Sequence, residues 1–172
     1  LIDLCKAQSM PAVAVTDTNN MFAALEFSVT AVGAGVQPII GCQVSVAFDP
    51  AGVGEKPRLS APVVLLAQNE AGYMGLMKLN SCLYLDKAGA LPEVTLDELA
   101  RHSDGIICLT CGGDGPVGRF LQAGQRGKAE ALLARLAAIY PDRLYVELQR
   151  HPGPGNRLPE AEAVCEQGFV EM

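Results

Sequence analysis

Pro11-Ala-Val-Ala-Val-Thr-Asp-Thr-Asn-Asn-Met-Phe22 and Gly35-Val-Gln-Pro-Ile-Ile-Gly-Cys-Gln-Val-Ser-Val46 decide the fold of this 172-residue chain. Each holds a short run of β-branched and small apolar residues bounded by turn formers, as a buried strand requires. Between them, over Met21 to Val32, apolar residues return at three- and four-residue spacing, the pattern of a helix with one buried face. The unit reads as strand, turn, helix, strand. Asn20 is expected to cap the helix, and Gly33 or Gly35 to supply its left-handed exit.

The same alternation continues outward. Val- and Ile-rich runs at 63–67, 105–109 and 144–148 predict further strands, and helical patterns lie at 70–85, 96–100, 117–123 and 128–139. Such runs commonly belong to parallel sheets, so the expected class is an α/β layer or barrel. Asn69 ahead of Glu70, and Thr95 with Glu98 three residues on, mark two helix starts. Residues 50–57 and 86–92 and the segment His151-Pro-Gly-Pro-Gly-Asn156 read as connections, because Pro and Gly disrupt helix and ladder bonding alike. No internal repeat or low-complexity tract occurs.

With 49% hydrophobic residues, a chain of this length can bury roughly 70% of its unfolded surface in one domain. It carries 13 basic and 19 acidic residues, a net charge of −6, which opposes a large phosphate-binding surface. Cys5, Cys42, Cys82, Cys108, Cys111 and Cys165 fall mostly in apolar runs, where cysteine behaves as a small hydrophobe, so a reduced, cytoplasmic chain is expected. Neither a membrane span nor a signal peptide is expected, since no apolar stretch is long enough and no basic-then-apolar leader occurs. The chain opens on Leu1 rather than Met and runs to Met172 within a helical pattern, so both ends read as cut from a longer protein.

In α/β folds, sites form on the loops after strand C-termini, which draws attention to residues 16–20, Gln43, 111–114 and His151. Thr16-Asp-Thr-Asn-Asn20 offers one carboxylate, two hydroxyls and two amides at a strand-to-helix turn. It could hold a metal or phosphate at the helix N-terminus, or serve only as a cap with Asp17 anchoring the turn. A hydrolytic metal centre needs several His and Asp/Glu ligands, and the chain contains only His102 and His151. His102 sits at a helix end, where imidazolium is favourable with the dipole, and reads as structural or solvated. His151 follows a strand, where a lone histidine is more often packing than ligand. Cys108-Leu-Thr-Cys111 has redox or zinc spacing without a second pair, and Gly112–Gly118 lacks the Gly-Lys-Ser/Thr ending of a P-loop, so a plain turn is expected there. Two histidines leave little material for a nucleophilic triad, and Cys42 reads as core.

In order and at matching intervals, several segments together closely resemble the PHP (polymerase and histidinol phosphatase) domain of bacterial replicative, C-family DNA polymerases. They are Val13-Ala-Val-Thr-Asp17, Asn20-Met-Phe-Ala-Ala-Leu-Glu-Phe27, Ala34-Gly-Val-Gln-Pro-Ile-Ile-Gly-Cys42, Val64-Leu-Leu-Ala-Gln-Asn-Glu-Ala-Gly-Tyr73 with Leu76-Met-Lys-Leu79, Leu96 to Leu99, and Leu144-Tyr-Val-Glu-Leu-Gln-Arg-His151. The resemblance implies a distorted TIM-like (βα) barrel, here residues 1–172 as one PHP domain without its first and last strands. It also implies a metal cluster at the strand C-termini, built in active members from His, Asp and Glu.

Three matching positions depart from that ligand set: Thr18 and Pro62 stand where the family carries histidines, and Gln43 where it carries a glutamate. Asp17 and His151 persist, and Cys111 lies at or one residue from a family cysteine. Replacing imidazole and carboxylate by hydroxyl, amide and proline removes charge and donor atoms, so the resemblance implies a degenerate site with no metal, cofactor or catalytic residue in this chain. The implied role is a structural platform that docks a proofreading exonuclease subunit. DNA is then reached through the parent polymerase, whose remaining domains are partners and whose palm aspartates hold magnesium. The alternative is an active metal-dependent phosphoesterase or proofreading nuclease using Asp17, His151 and segments outside this chain. A free-standing amidohydrolase-like enzyme would leave the matches at Asn69–Tyr73 and Glu147–His151 to accident.

Overall fold

The computed structural model describes residues 1–49, 59–85, 91–153 and 158–172. The connections expected at 50–57 and 86–90, and the 154–156 part of the segment after His151, lie outside the described residues. Along the chain run α1 (Ile2–Ala7), β1 (Ala12–Thr18), α2 (Ala24–Gly33), β2 (Gln37–Asp49), β3 (Leu59–Ala67), α3 (Glu70–Tyr84) and β4 (Val94–Thr95). Then follow α4 (Leu96–Arg101), β5 (Ile106–Leu109), α5 (Pro116–Gln122), α6 (Arg126–Ile139), β6 (Leu144–Tyr145) and α7 (Glu160–Glu171).

The strands form one mixed six-stranded sheet in the order β1-β2-β3-β5-β6, with β4 paired to the far end of β2. The sheet is open, not closed into a barrel, among the described residues. The expectation of a parallel sheet holds for β1–β2, β2–β4 and β5–β6 and fails for β2–β3 and β3–β5, which are antiparallel. The reason lies in the β2–β3 connection: a parallel return needs a crossover of a dozen or more residues, and residues 50–58 are too few.

Side chains alternate across the sheet and divide it into two unlike faces. Toward the helices point Cys42, Val44 and Val46 of β2, Val63 and Leu65 of β3, and Ile106 and Cys108 of β5, all buried. They pack with Leu76, Leu79 and Leu83 of α3, Leu99 of α4, Val117 of α5 and Leu136 of α6 in one core. The other face carries Thr16 and Thr18, Gln43 and Ser45, Pro62, Val64 and Leu66, and Ile107 and Leu109, in register across β1, β2, β3 and β5. Most of these side chains are half-buried.

Local chemistry explains the element ends. Asn69 caps α3 by accepting the Gly72 N–H at 3.0 Å, Thr95 and Glu98 complete a capping box on α4, and α2 is left through Gly35 at φ +75°. The Asn20 expectation needs correction: α2 starts three residues later, with Ala23 at its cap position. Asn20 instead closes a local turn, accepting the Phe22 N–H at 3.0 Å and donating to the Thr18 carbonyl at 2.9 Å. The last expected strand also shortens to Leu144–Tyr145, and α1 and β4 are additional elements.

Candidate functional site

β1 ends at Thr18, level with Gln43 on β2. Gln43 is opposite Val64, Val64 opposite Leu109, and Leu109 beside Tyr145. A row therefore crosses the half-buried face as hydroxyl, amide, two aliphatics and a phenol. One step further along, Ser45 faces Pro62, and the β3–β5 register continued by two residues brings Cys111 level with Pro62. Thr18, Gln43 and Pro62 are thus brought onto one face, with Cys111 at its border.

Asp17 is not with them. It pairs in register with Cys42, on the helix-facing side, and its carboxylate accepts the Ala23 N–H at 3.0 Å at the entry to α2. Of the two roles open to the 16–20 turn, anchoring is the one its hydrogen bonds serve. Burial pushes the neighbouring Cys42 thiol up, partly offset by the Asn80 side chain.

Cys111 takes φ +60° and leaves the sheet plane, and the side chain of Glu147 accepts its N–H at 3.0 Å. The buried Thr110 supplies the second half of this junction: its N–H donates to the Tyr145 carbonyl, and its hydroxyl oxygen accepts the Glu147 N–H. These side-chain bonds replace the ladder beyond Tyr145, which is why the strand expected to reach residue 148 stops early. Burial, with Glu147 and Asp114 nearby, pushes the Cys111 thiol up to about 11, and burial alone raises Cys108 further. Burial in this way disfavours the thiolate of both. The glycine turn that follows is filled by its own backbone: a Cβ at Gly115 would lie 1.8 Å from the Thr110 carbonyl oxygen.

His151 has turned outward. Its side chain is 75% exposed, with Nδ1 2.9 Å from Glu162 Oε1, while its N–H donates to Glu162 Oε2 at 2.8 Å. These bonds hold the Glu162 carboxyl below its usual range, and Arg150 similarly pairs with Glu166 on α7. His151 and Arg150 thereby tie the chain after β6 to the last helix. His102 ends α4, but burial, then Lys78 and Arg101, lower its pKa, so the imidazolium expected from the helix dipole is disfavoured. Among the described residues, no three His, Cys, Asp or Glu side chains gather closely enough to hold one metal ion.

Asn19, expected only as one of the two amides of the 16–20 turn, does more at this corner, beside groove residues that the sequence did not single out. Asn19 takes φ +55° and bonds to both β2 and α3, and an open groove of about 410 Å³ lies beside it, lined by Asn19, Phe22, Met77, Asn80, Tyr84 and Leu85 among others. Asparagine directly after a strand was the available signal, since it tolerates the left-handed region better than most residues.

The family model of the PHP domain matches residues 1–151, and this chain belongs to the PHP domain family. Its curated relatives are long proteins. DNA polymerase III subunit alpha of Caulobacter vibrioides is 44% identical over 169 residues, which cover 97% of this chain and 14% of that protein. The protein of the same name from Pseudomonas aeruginosa is 38% identical over 143 residues, covering 82% and 12%. That from Rickettsia bellii is 31% identical over 161 residues, covering 93% and 13%. The chain is thus homologous to about one seventh of a polymerase subunit. Among the described residues, no helix is long and apolar enough to cross a membrane.

Proposed function

We propose that this chain is the PHP domain of a replicative DNA polymerase alpha subunit, a metal-free structural platform that docks a separate proofreading exonuclease. The observation that carries the reading is the neutral row that crosses the sheet level with the end of β1. Thr18 and Gln43 sit level on adjacent strands with Pro62 on the same face, and none of the three offers a carboxylate or imidazole. Such a donor set does not fit a divalent cluster, which needs anionic or imidazole ligands to repay dehydration of the ion. Asp17 and His151, the two family-type residues that persist, are engaged elsewhere, with Ala23 and Glu162 respectively. That engagement weighs against the alternative of an active phosphoesterase or nuclease.

The polymerase reading rests on the relatives, of which this chain spans about 14%. On it, primer extension, its magnesium and DNA contact belong to the parent's other domains, and the open sheet is one side of a TIM-like barrel completed by further chain. Residues 1–172 then form a single unit of a cytoplasmic replication protein. A polymerase with no hydrolytic centre in this domain needs proofreading supplied in trans, which is the ground for exonuclease docking.

Elemental analysis of the full-length protein, purified without chelator, tests the reading. The expected content is under roughly a tenth of an equivalent of zinc, manganese or iron at this domain, because neutral oxygen donors hold such ions weakly. Two or more equivalents that disappear on Gln43→Ala would refute it. Co-purification with the exonuclease subunit tests docking, and an exonuclease that binds unchanged to a parent lacking residues 1–172 would refute that part.

A further inference from the structure

We propose that Asn19 is the positioning residue of the strand-end corner, a hydrogen-bonded latch that fixes β1, β2 and α3 together where the family reading would otherwise call for an ion. This deepens the metal-free reading and rests on it.

A parallel ladder asks two bonds of the residue following Thr18. Its N–H must donate to the carbonyl of Gln43, and its own carbonyl must accept the N–H of Ser45. The first bond is present, at 2.8 Å. The second cannot form from the main chain, because φ +55° at Asn19 swings the backbone out of the strand toward α2. The side chain takes the missing place: Asn19 Oδ1 accepts the Ser45 N–H at 2.9 Å, and Asn19 Nδ2 donates to Ser45 Oγ at 3.1 Å. A carboxamide has the same acceptor and donor as a peptide group, so it extends the ladder after the chain has left it.

The displaced main-chain carbonyl is not lost either, because Tyr84 Oη of α3 donates to it at 2.9 Å. One residue therefore spends its N–H, its carbonyl and both side-chain polar atoms on two other elements. The corner so fixed contains Thr18 and Gln43 and forms one wall of the groove that Tyr84 and Phe22 border. Asparagine suits all of these demands: it tolerates positive φ, and it reaches as far as one peptide unit. Glycine would keep the turn and lose the latch, while aspartate would keep the acceptor for Ser45.

Hydrogen exchange in the full-length protein, read on peptides spanning residues 43–47, tests this. Asn19→Gly is expected to speed exchange of the Ser45 amide by about tenfold or more, since a half-buried N–H loses its acceptor, while Asn19→Asp stays near the unsubstituted protein. Tyr84→Phe is expected to speed the Asn19–Phe22 turn and leave Ser45 protected. Unchanged Ser45 exchange in Asn19→Gly would overturn the latch. If chelator alone speeds Ser45 exchange in the unsubstituted protein, the metal-free reading fails instead, so the two failures are distinguishable.

Discussion

Gly72→Ala is the sharpest test of how α3 is seated. A Cβ built at Gly72 would lie 1.9 Å from the carbonyl oxygen of Gly105 and 2.6 Å from its carbonyl carbon, where real Cβ atoms stay beyond 3.0 Å. Neither partner can give way cheaply. The Gly105 oxygen accepts the Gln68 N–H at 2.8 Å, and the Gly72 N–H is held by the Asn69 cap. The start of α3 must therefore retreat by about 1 Å, drawing Leu76 and Leu79, both fully buried, out of register with β3 and β5. Overpacking of this kind costs up to about 3 kcal/mol, and alanine returns about 1 kcal/mol through helix propensity. The net loss of about 2 kcal/mol corresponds to a melting temperature roughly 4–8 °C lower for a domain of this size. Circular dichroism of the expressed chain measures it directly. Should the chain not fold alone, exchange protection of α3 amides in the full-length protein replaces the melt. An unchanged or raised melting temperature, the result propensity alone demands, would refute the seating argument.

Tyr140 is fully buried and its hydroxyl has no hydrogen-bond partner among the described residues, so Tyr140→Phe is expected to stabilise by about 1 kcal/mol. A urea midpoint that falls rather than rises would contradict this. The anchoring of α7 is expected to be acid-labile. Glu162 is held below its ordinary 4.5 by bonds from His151, Glu166 by Arg150, and Glu171 by Gln167 and then Arg126. A carboxylate depressed in the folded state contributes stability that is present above its unfolded pKa and lost as pH falls through the folded value. Protection of α7 amides should thus hold from neutral pH to about 4.5 and decline below it, and a decline already complete at pH 6 would oppose the assignment.

How much was legible follows from which forces set each element. Apolar periodicity placed α3, α4, α5, α6 and the core strands because those elements bury one face, and burial dictates spacing. Capping chemistry likewise located Asn69 and Thr95, whose side-chain oxygens act within three residues of their own position. Strand direction was not legible: Val63–Ala67 reads the same in a parallel or antiparallel sheet, and only the length of the connection to β2 decides. The two-residue β4 pairs through backbone atoms that any sequence possesses. At the candidate site, Thr18, Gln43 and Pro62 were picked out by the resemblance alone, and their placement on one face needed the strand register. The outward turn of His151 depended on Glu162, eleven residues on, which no local pattern announces.

Strand parity gives Asp17 a structural task separate from the Thr18 face. Successive residues of β1 point to opposite sides, so Asp17 and Thr18 cannot serve one site on one face. Asp17 works on the helix side, where its carboxylate takes the N–H of Ala23 at the start of α2, an anion at a helix N-terminus. That role is independent of anything that binds across the sheet. Thr18 faces the other way, and its side chain makes no hydrogen bond to another described element. The same division separates Cys42 from Gln43 on β2: the thiol is packed into the core, the amide stands on the neutral row. At this strand end the helix-facing positions hold the fold together, and the alternate positions set the chemistry of the open face.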